Sequence, residues 1–281
     1  MSAYPLDLHT RTVDVGKGTA NRLRIFNVVM GLLHLVSGSA MVALSNDFTL
    51  PVSTFALGGP PGTPLSQGVT NLVFDVPLGV VTASFLFLSA FFHFLIASPW
   101  GFTRYIDELS KGRNRFRWVE YSLSSTLMII LISLVLGISD IAALIGLGVA
   151  NASMILFGWL MEMSNNGLMH GKNGHPVRGE RAWWTPFWFG CVAGIGPWLA
   201  AAAYLFVNVA VKDGPGPPGF VYGIIVSLFV FFNSFALNQW LQYKQVGRWQ
   251  NYLTGERTYI VLSLVAKSLL AWQVFANVLV G

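Results

Sequence analysis

The last apolar run of the chain, GERTYIVLSLVAKSLLAWQVFANVLV at residues 255–280, carries Lys267 near its middle. About 20 apolar residues rising 1.5 Å each cross a hydrocarbon core roughly 30 Å thick. Lys267 lies about 12 residues, roughly 18 Å, from either end of the run, further than a lysine stem reaches by snorkelling. A cation there costs about 3 kcal/mol to insert. Its amine is therefore neutral, paired or chemically modified.

Six more runs of the same kind precede it, at 22–45, 74–98, 115–138, 140–163, 184–211 and 219–243. They are continuous rather than alternating and too long for barrel strands, so the chain reads as an all-α membrane protein with seven transmembrane helices in a single domain, 1–281. Composition agrees. Of the 281 residues 54% are hydrophobic and 10% charged, against about 25% charged in soluble domains, which excludes a soluble enzyme or a disordered chain. A lone cysteine, Cys191, excludes a disulfide scaffold. Residues 1–20 are polar, so the first run reads as a retained helix and not a signal peptide. The long connection, 46–73, holds Pro51, Gly58, Gly59, Pro60, Pro61, Gly62 and Pro64. Its Thr49 to Leu57 piece suits a small hairpin outside the membrane. No sequence repeat relates the two halves, which weighs against an inverted-repeat transporter.

Lysines and arginines set the orientation. Arg11, Lys17, Arg22 and Arg24 precede or open the first span; Arg104, Lys111, Arg113, Arg115 and Arg117 lie between the second and third. Lys172, Arg178 and Arg181 join the fourth to the fifth, and Lys244, Arg248 and Arg257 the sixth to the seventh. All these fall on one side, and the opposite side has Lys212 alone. The positive-inside rule then puts the N-terminus in the cytoplasm and the C-terminus outside. The net charge of +5 is spent on topology, and no nucleic-acid partner is expected.

The partner for Lys267 is Glu120, the carboxylate well inside a span, in RWVEYSLSST at 117–126. Glu162 ends the fourth run, and Asp75 and Asp140 sit at helix mouths. Side chains tilt toward a helix N-terminus, so Lys267 leans toward the level of Glu120. On these residues alone two readings stand: a structural ion pair, or a lysine forming an imine whose positive charge Glu120 balances. Desolvation favours the neutral, nucleophilic lysine that imine formation needs.

Seven spans, a lysine midway along the last, and Trp118-Val119-Glu120-Tyr121-Ser122 in the third resemble the heliorhodopsins, over nearly the whole chain from His34 onward. The orientation agrees, since ordinary microbial rhodopsins place the N-terminus outside. The resemblance implies a rhodopsin-like seven-helix bundle in the cell membrane with a small extracellular β-hairpin in the first loop. It also implies all-trans retinal on Lys267 as a protonated Schiff base, Glu120 as counterion, a homodimer formed in part by the hairpin, and light sensing by a slow photocycle without pumping.

Other residues fit that frame. Ser263, one turn before Lys267, brings a hydroxyl but no charge; Ser124, one turn beyond Glu120, is its expected hydroxyl neighbour. Ser89, His93, Glu120 and Ser263 are expected to converge on one polar cavity, with His93 and His34 as candidate proton acceptors. Met154, Phe232, Gln239 and Trp240 are expected around the retinal, and Asn151 and Asn238 add amides within their spans. Beyond Glu120 the third run continues Leu127 to Ile132 with no second carboxylate, which leaves the extracellular half poor in titratable groups. Arg113, Arg115, Arg117 and Arg178 are expected in exposed loops, as topology determinants or as the surface for a cytoplasmic signalling partner. The competing readings are a light-gated proton channel and a receptor or transporter using Glu120 and Lys267 as a plain ion pair. An enzyme is disfavoured. His170 and His175 lack acidic neighbours at metal-ligand spacing, so no metal is expected.

Overall fold

The structure, a computed structural model, describes residues 13–165, 182–211 and 219–276. Eight helices occur in the described residues: α1 (Lys17–Leu44), α2 (Leu78–Ala97), α3 (Pro99–Ser110), α4 (Arg115–Val135), α5 (Ile141–Ser164), α6 (Thr185–Val211), α7 (Gly219–Tyr243) and α8 (Tyr252–Val274). Between α1 and α2, β1 (Thr49–Ala56) pairs antiparallel with β2 (Val69–Pro77). Six helices, α1, α2, α4, α5, α6 and α7, are long and apolar enough to cross a membrane. The seventh of the bundle is α8, whose 23 residues have the length but include Glu256, Arg257 and Lys267. At 12 residues, or about 18 Å, α3 is too short to span.

Burial is inverted relative to a water-soluble bundle. Val36, Val149, Val192, Leu199 and Val226 are exposed, while Asn27, His34, Glu120, Asn151, Glu256 and Lys267 are buried. Apolar side chains face outward because the surrounding solvent is lipid, and polar ones must find each other inside.

Local chemistry sets the helix ends. Pro99 disfavours helical geometry at Ser98, so α2 stops at Ala97 and the Ser98 hydroxyl caps α3 by accepting from Gly101 N (3.0 Å). Segment 99–110 was expected to be loop; this cap and an apolar face that buries Tyr105 and Leu109 make it a helix. Asn114 caps α4, Asp140 caps α5 and Asn251 caps α8. At the other end of α4, Gly137 takes φ +89°, and Gly137 N and Ile138 N donate to Leu134 O and Ser133 O (both 2.9 Å). This Schellman closure ends the helix at Val135, three residues short of the expected 138. Two further boundaries move. Residues 74–77, expected at the start of the second span, belong to β2, and the last helix starts at Tyr252 rather than 255. Arg11, the 170s loop with His170, Lys172, His175 and Arg178, Arg181, Lys212 and residues 277–280 lie outside the described residues.

Around the bundle α1 packs on α2 and α8, α2 on α4 and α8, α4 on α5, α5 on α6, and α7 on α8. The half nearest the hairpin is closed by an apolar core that includes Met41, Phe85, Met128, Ile132, Leu228 and Leu270. The opposite half, toward the basic ends of the helices, holds most of the buried charge. The hairpin is tied down twice. Leu78 N donates to Phe48 O (3.1 Å) where β2 enters α2, and Ser53 N donates to Ser139 O (2.8 Å) in the α4–α5 turn. The Ser53 and Ser139 hydroxyls also meet at 2.9 Å.

Candidate functional site

On α8, residues 256, 260, 263 and 267 recur at intervals of three and four and so share one face; residues 117, 120 and 124 do the same on α4. These two stripes face each other, with Arg117 paired to Glu256 and Glu120 paired to Lys267.

At one end of the α8 stripe Lys267, 3% exposed, pairs with Glu120, 6% exposed. The amine also donates to Ser89 Oγ (2.7 Å), and Ser89 Oγ donates to Glu120 Oε1 (2.7 Å). A hydroxyl from α2 thus closes a three-membered ring with the two charges. The ring of Tyr121 lies 5.2 Å from the amine. A buried pair of this kind survives only when its remaining hydrogen-bond sites are also used, and Ser89 does that.

From Lys267 a cavity of about 100 Å3 runs between α4, α5, α7 and α8. Trp118, Tyr121, Met154, Phe232, Phe235 and Tyr259 give it flat aromatic and thioether walls, and Gln239 also lines it. Gly158 lets the Trp118 ring lie against α5, since a Cβ there would come within 2.6 Å of that ring. An amine at the head of a slot walled by rings fits an elongated conjugated aldehyde such as retinal. Trp240 does not line this slot and is 36% exposed, so of the four residues expected around the polyene the structure gathers Met154, Phe232 and Gln239.

A second, polar cavity of about 30 Å3, room for about two waters, lies on the basic side of Glu120. Ser89, His93, Glu120 and Ser263 all line it, together with Asn27, Asn114, Arg117 and Glu256. Asn27 Nδ2 donates to Leu23 O (2.9 Å), which turns its carbonyl oxygen toward His93 Nδ1 (2.8 Å). His93 Nδ1 therefore carries hydrogen and Nε2 is the acceptor. His34 stacks on His93 with ring centres 5.6 Å apart. Ser124, expected to bond Glu120, has no protein partner for its hydroxyl among the described residues, and neither has Ser263. It is Ser89 of α2, not Ser124, that touches the carboxylate. Asn151 bonds Ser125 and Thr126, while Asn238 and Gln239 bond the backbone at Gly255 and Gly158.

The polar cavity ends on a cluster that sequence reading missed. Arg117 was expected in an exposed loop, but it is 5% exposed and pairs with both Glu162 and Glu256, each 1% exposed. Glu162 also accepts from Asn114 N (2.8 Å), Trp118 Nε1 (2.6 Å) and Tyr252 OH (2.9 Å). Glu256 also accepts from Asn114 Nδ2 (2.7 Å) and Tyr105 OH (3.1 Å). Burial and the nearby Glu256 carboxylate push the Tyr105 phenol well above its ordinary pKa, which keeps it a hydrogen-bond donor. The guanidinium stacks 4.1 Å from the ring centre of Tyr259. The available signal was one charged residue at the basic end of each of three spans: Arg117, Glu162 and Glu256.

A family model described as heliorhodopsin matches residues 23–279. No curated protein matches the chain. Among solved structures, the crystal structure of a light-driven proton pump from Leptosphaeria maculans superposes with a TM-score of 0.59 at 16% identity, covering 94% of this chain and 97% of the other. The crystal structure of Exiguobacterium sibiricum rhodopsin gives 0.57 at 16% identity, covering 93% and 97%. At that identity the structural likeness speaks for the fold alone.

Proposed function

The chain belongs to the heliorhodopsin family and is a retinal-binding rhodopsin of the membrane, and from that premise we propose that it is a light sensor in which Lys267 holds all-trans retinal covalently. The observation that carries this reading is the buried Lys267 amine, held by Glu120 and Ser89 at the head of an aromatic slot. Bound there, retinal supplies visible absorption and photoisomerisation. The protein's own residues do the rest. Among the described residues Glu120 is the one carboxylate paired with the amine, and it balances the charge while Ser89 orients both groups. Trp118, Tyr121, Met154, Phe232 and Tyr259 confine the chromophore and exclude water.

The same geometry supports sensing without net transport. A pump needs titratable groups on both sides of the amine, and on the hairpin side stands the apolar core of Phe85, Met128, Ile132 and Leu270. His93, Glu120 and the polar cavity all lie on the other side. A proton that leaves the amine goes toward the basic end and comes back the same way. The basic loops support a cytoplasmic position for that end. The exposed apolar side chains of the hairpin, Phe55, Leu72 and Phe74, support its use in a homodimer.

The test is colour. Protein expressed with all-trans retinal should be pigmented and bleach with hydroxylamine, and Lys267→Ala should be colourless. Colourless wild-type protein, or pigment that survives removal of the amine, overturns the reading.

A further inference from the structure

We propose that Glu256 is the carboxylate that stores the proton released at the Lys267 amine during the light reaction. This rests on the reading of Lys267 given above and adds to it the destination of the proton.

Arg117 faces two carboxylates, Glu162 and Glu256, so the buried cluster carries one negative charge in excess. The compensating positive excess lies outside it, where Arg113 and Arg115 share Glu108. A buried uncompensated charge is costly, and two carboxylates sharing one site favour the uptake of a proton by one of them. One proton makes the cluster neutral.

Hydrogen-bond stoichiometry then picks the carboxylate. Glu162 receives four donors, Asn114 N, Arg117 Nη2, Trp118 Nε1 and Tyr252 OH. These fill the roughly four lone-pair positions of a carboxylate and leave no place for a proton. Glu256 receives three, with two on Oε1 and only Arg117 Nη1 on Oε2. Its Oε2 keeps one free position.

Access agrees. Glu256, not Glu162, lines the polar cavity that Glu120, Ser89, His93 and Ser263 line from the other end. About two waters fit there, and His93 Nε2 is an acceptor available for relay. Glu256 lies eleven residues before Lys267 on the same face of α8, roughly 16 Å along the helix axis. The groups around Glu256 are Tyr105 from α3, Asn114 at the α4 cap, Arg117 from α4 and, across Arg117, Glu162 from α5 and Tyr252 and Tyr259 from α8. The transfer breaks one N–H bond at Lys267 Nζ and makes one O–H bond at Glu256 Oε2. The reverse transfer in the dark restores both, so no proton crosses the membrane.

Infrared difference spectroscopy tests this directly. In the retinal-reconstituted protein a carboxylic-acid C=O band should grow as the amine loses its proton and decay as it recovers. Glu256→Gln should remove the band, Glu256→Asp should displace it, and Glu162→Gln should keep it. If the band is absent from wild-type protein while the amine is deprotonated, or persists in Glu256→Gln, the proposal fails even though the pigment forms. The wild-type measurement decides even where a variant does not fold. A second arm needs no retinal. Acidifying the colourless apoprotein should protonate a buried carboxyl that Glu256→Gln removes and Glu162→Gln does not. Assignment of that proton to Glu162 would overturn the proposal. Loss of colour alone would count against the retinal reading and leave this arm standing.

Discussion

At the Lys267 amine, two partners of unequal weight hold one charge. Glu120 supplies the opposite charge and Ser89 supplies geometry, donating to the carboxylate while accepting from the amine. Glu120→Gln removes the carboxylate that pairs with the amine, and breaking a buried pair costs about 3–5 kcal/mol. The absorption band of the retinal-bound variant should shift strongly to the red. Ser89→Ala should shift it less but measurably, because the ring of contacts opens. Ser124→Ala and Ser263→Ala, which touch neither charge, should leave the maximum close to that of the wild type. A spectrum of Glu120→Gln identical to wild type would show that the charge is balanced elsewhere. Lys267 and Glu120 were both legible in the sequence, because a charge inside an apolar run has no other explanation than a partner or a function. Ser89 was legible only as a polar residue one turn from His93. Which hydroxyl reaches Glu120 depends on how closely α2 and α4 approach, and no single run of residues records that.

At the level of helices, the ends decide more than the middles. The cluster of Arg117, Glu162 and Glu256 fastens the basic ends of α4, α5 and α8, with Asn114 both capping α4 and bonding the two acids. Arg117→Met would leave two buried carboxylates without their cation. It should destabilise the protein by about 3–5 kcal/mol, seen as a lower thermal midpoint in detergent. Replacing all three charged residues by apolar ones of similar volume should recover much of that loss, as buried triads often allow. If Arg117→Met melts with the wild type, the cluster is not structural cement. Sequence reading placed Arg117 in a loop because a basic residue at the start of a span normally marks the membrane surface. Glu162 and Glu256 stand equally near the ends of their runs. Only packing three helix ends together turns three surface residues into one buried site. The hairpin was half legible for a related reason. Thr49 to Leu57 stood out before the Gly/Pro cluster, but Phe74 to Pro77 merged with the apolar run that becomes α2.

For the whole molecule, the proposed orientation and assembly rest on where charge and apolar surface are exposed. Gly62→Cys at the hairpin turn, in a Cys191→Ser background, should react with an impermeant thiol reagent on intact cells, while Lys111→Cys after α3 should react only after lysis. The opposite pattern would invert the topology. Leu72→Asp and Phe74→Asp together should convert a dimer to a monomer in light-scattering measurements if the hairpin forms the contact; an unchanged mass would place the dimer surface elsewhere. The helical membrane bundle was legible because it depends on composition summed over many residues. Helix breaks such as Ser98-Pro99 depend on single residues and were not resolved.

The double anchorage of the hairpin has a mechanical corollary. Its second strand flows without a break into the helix bearing Ser89, while Ser53 grips the turn that follows the helix bearing Glu120. The little sheet thus works as a strain gauge bolted to both supports of one buried charge. Should those supports part under illumination, either the serine clasp lets go or the ribbon swings, and a movement born in the oily interior becomes readable on the outside of the molecule.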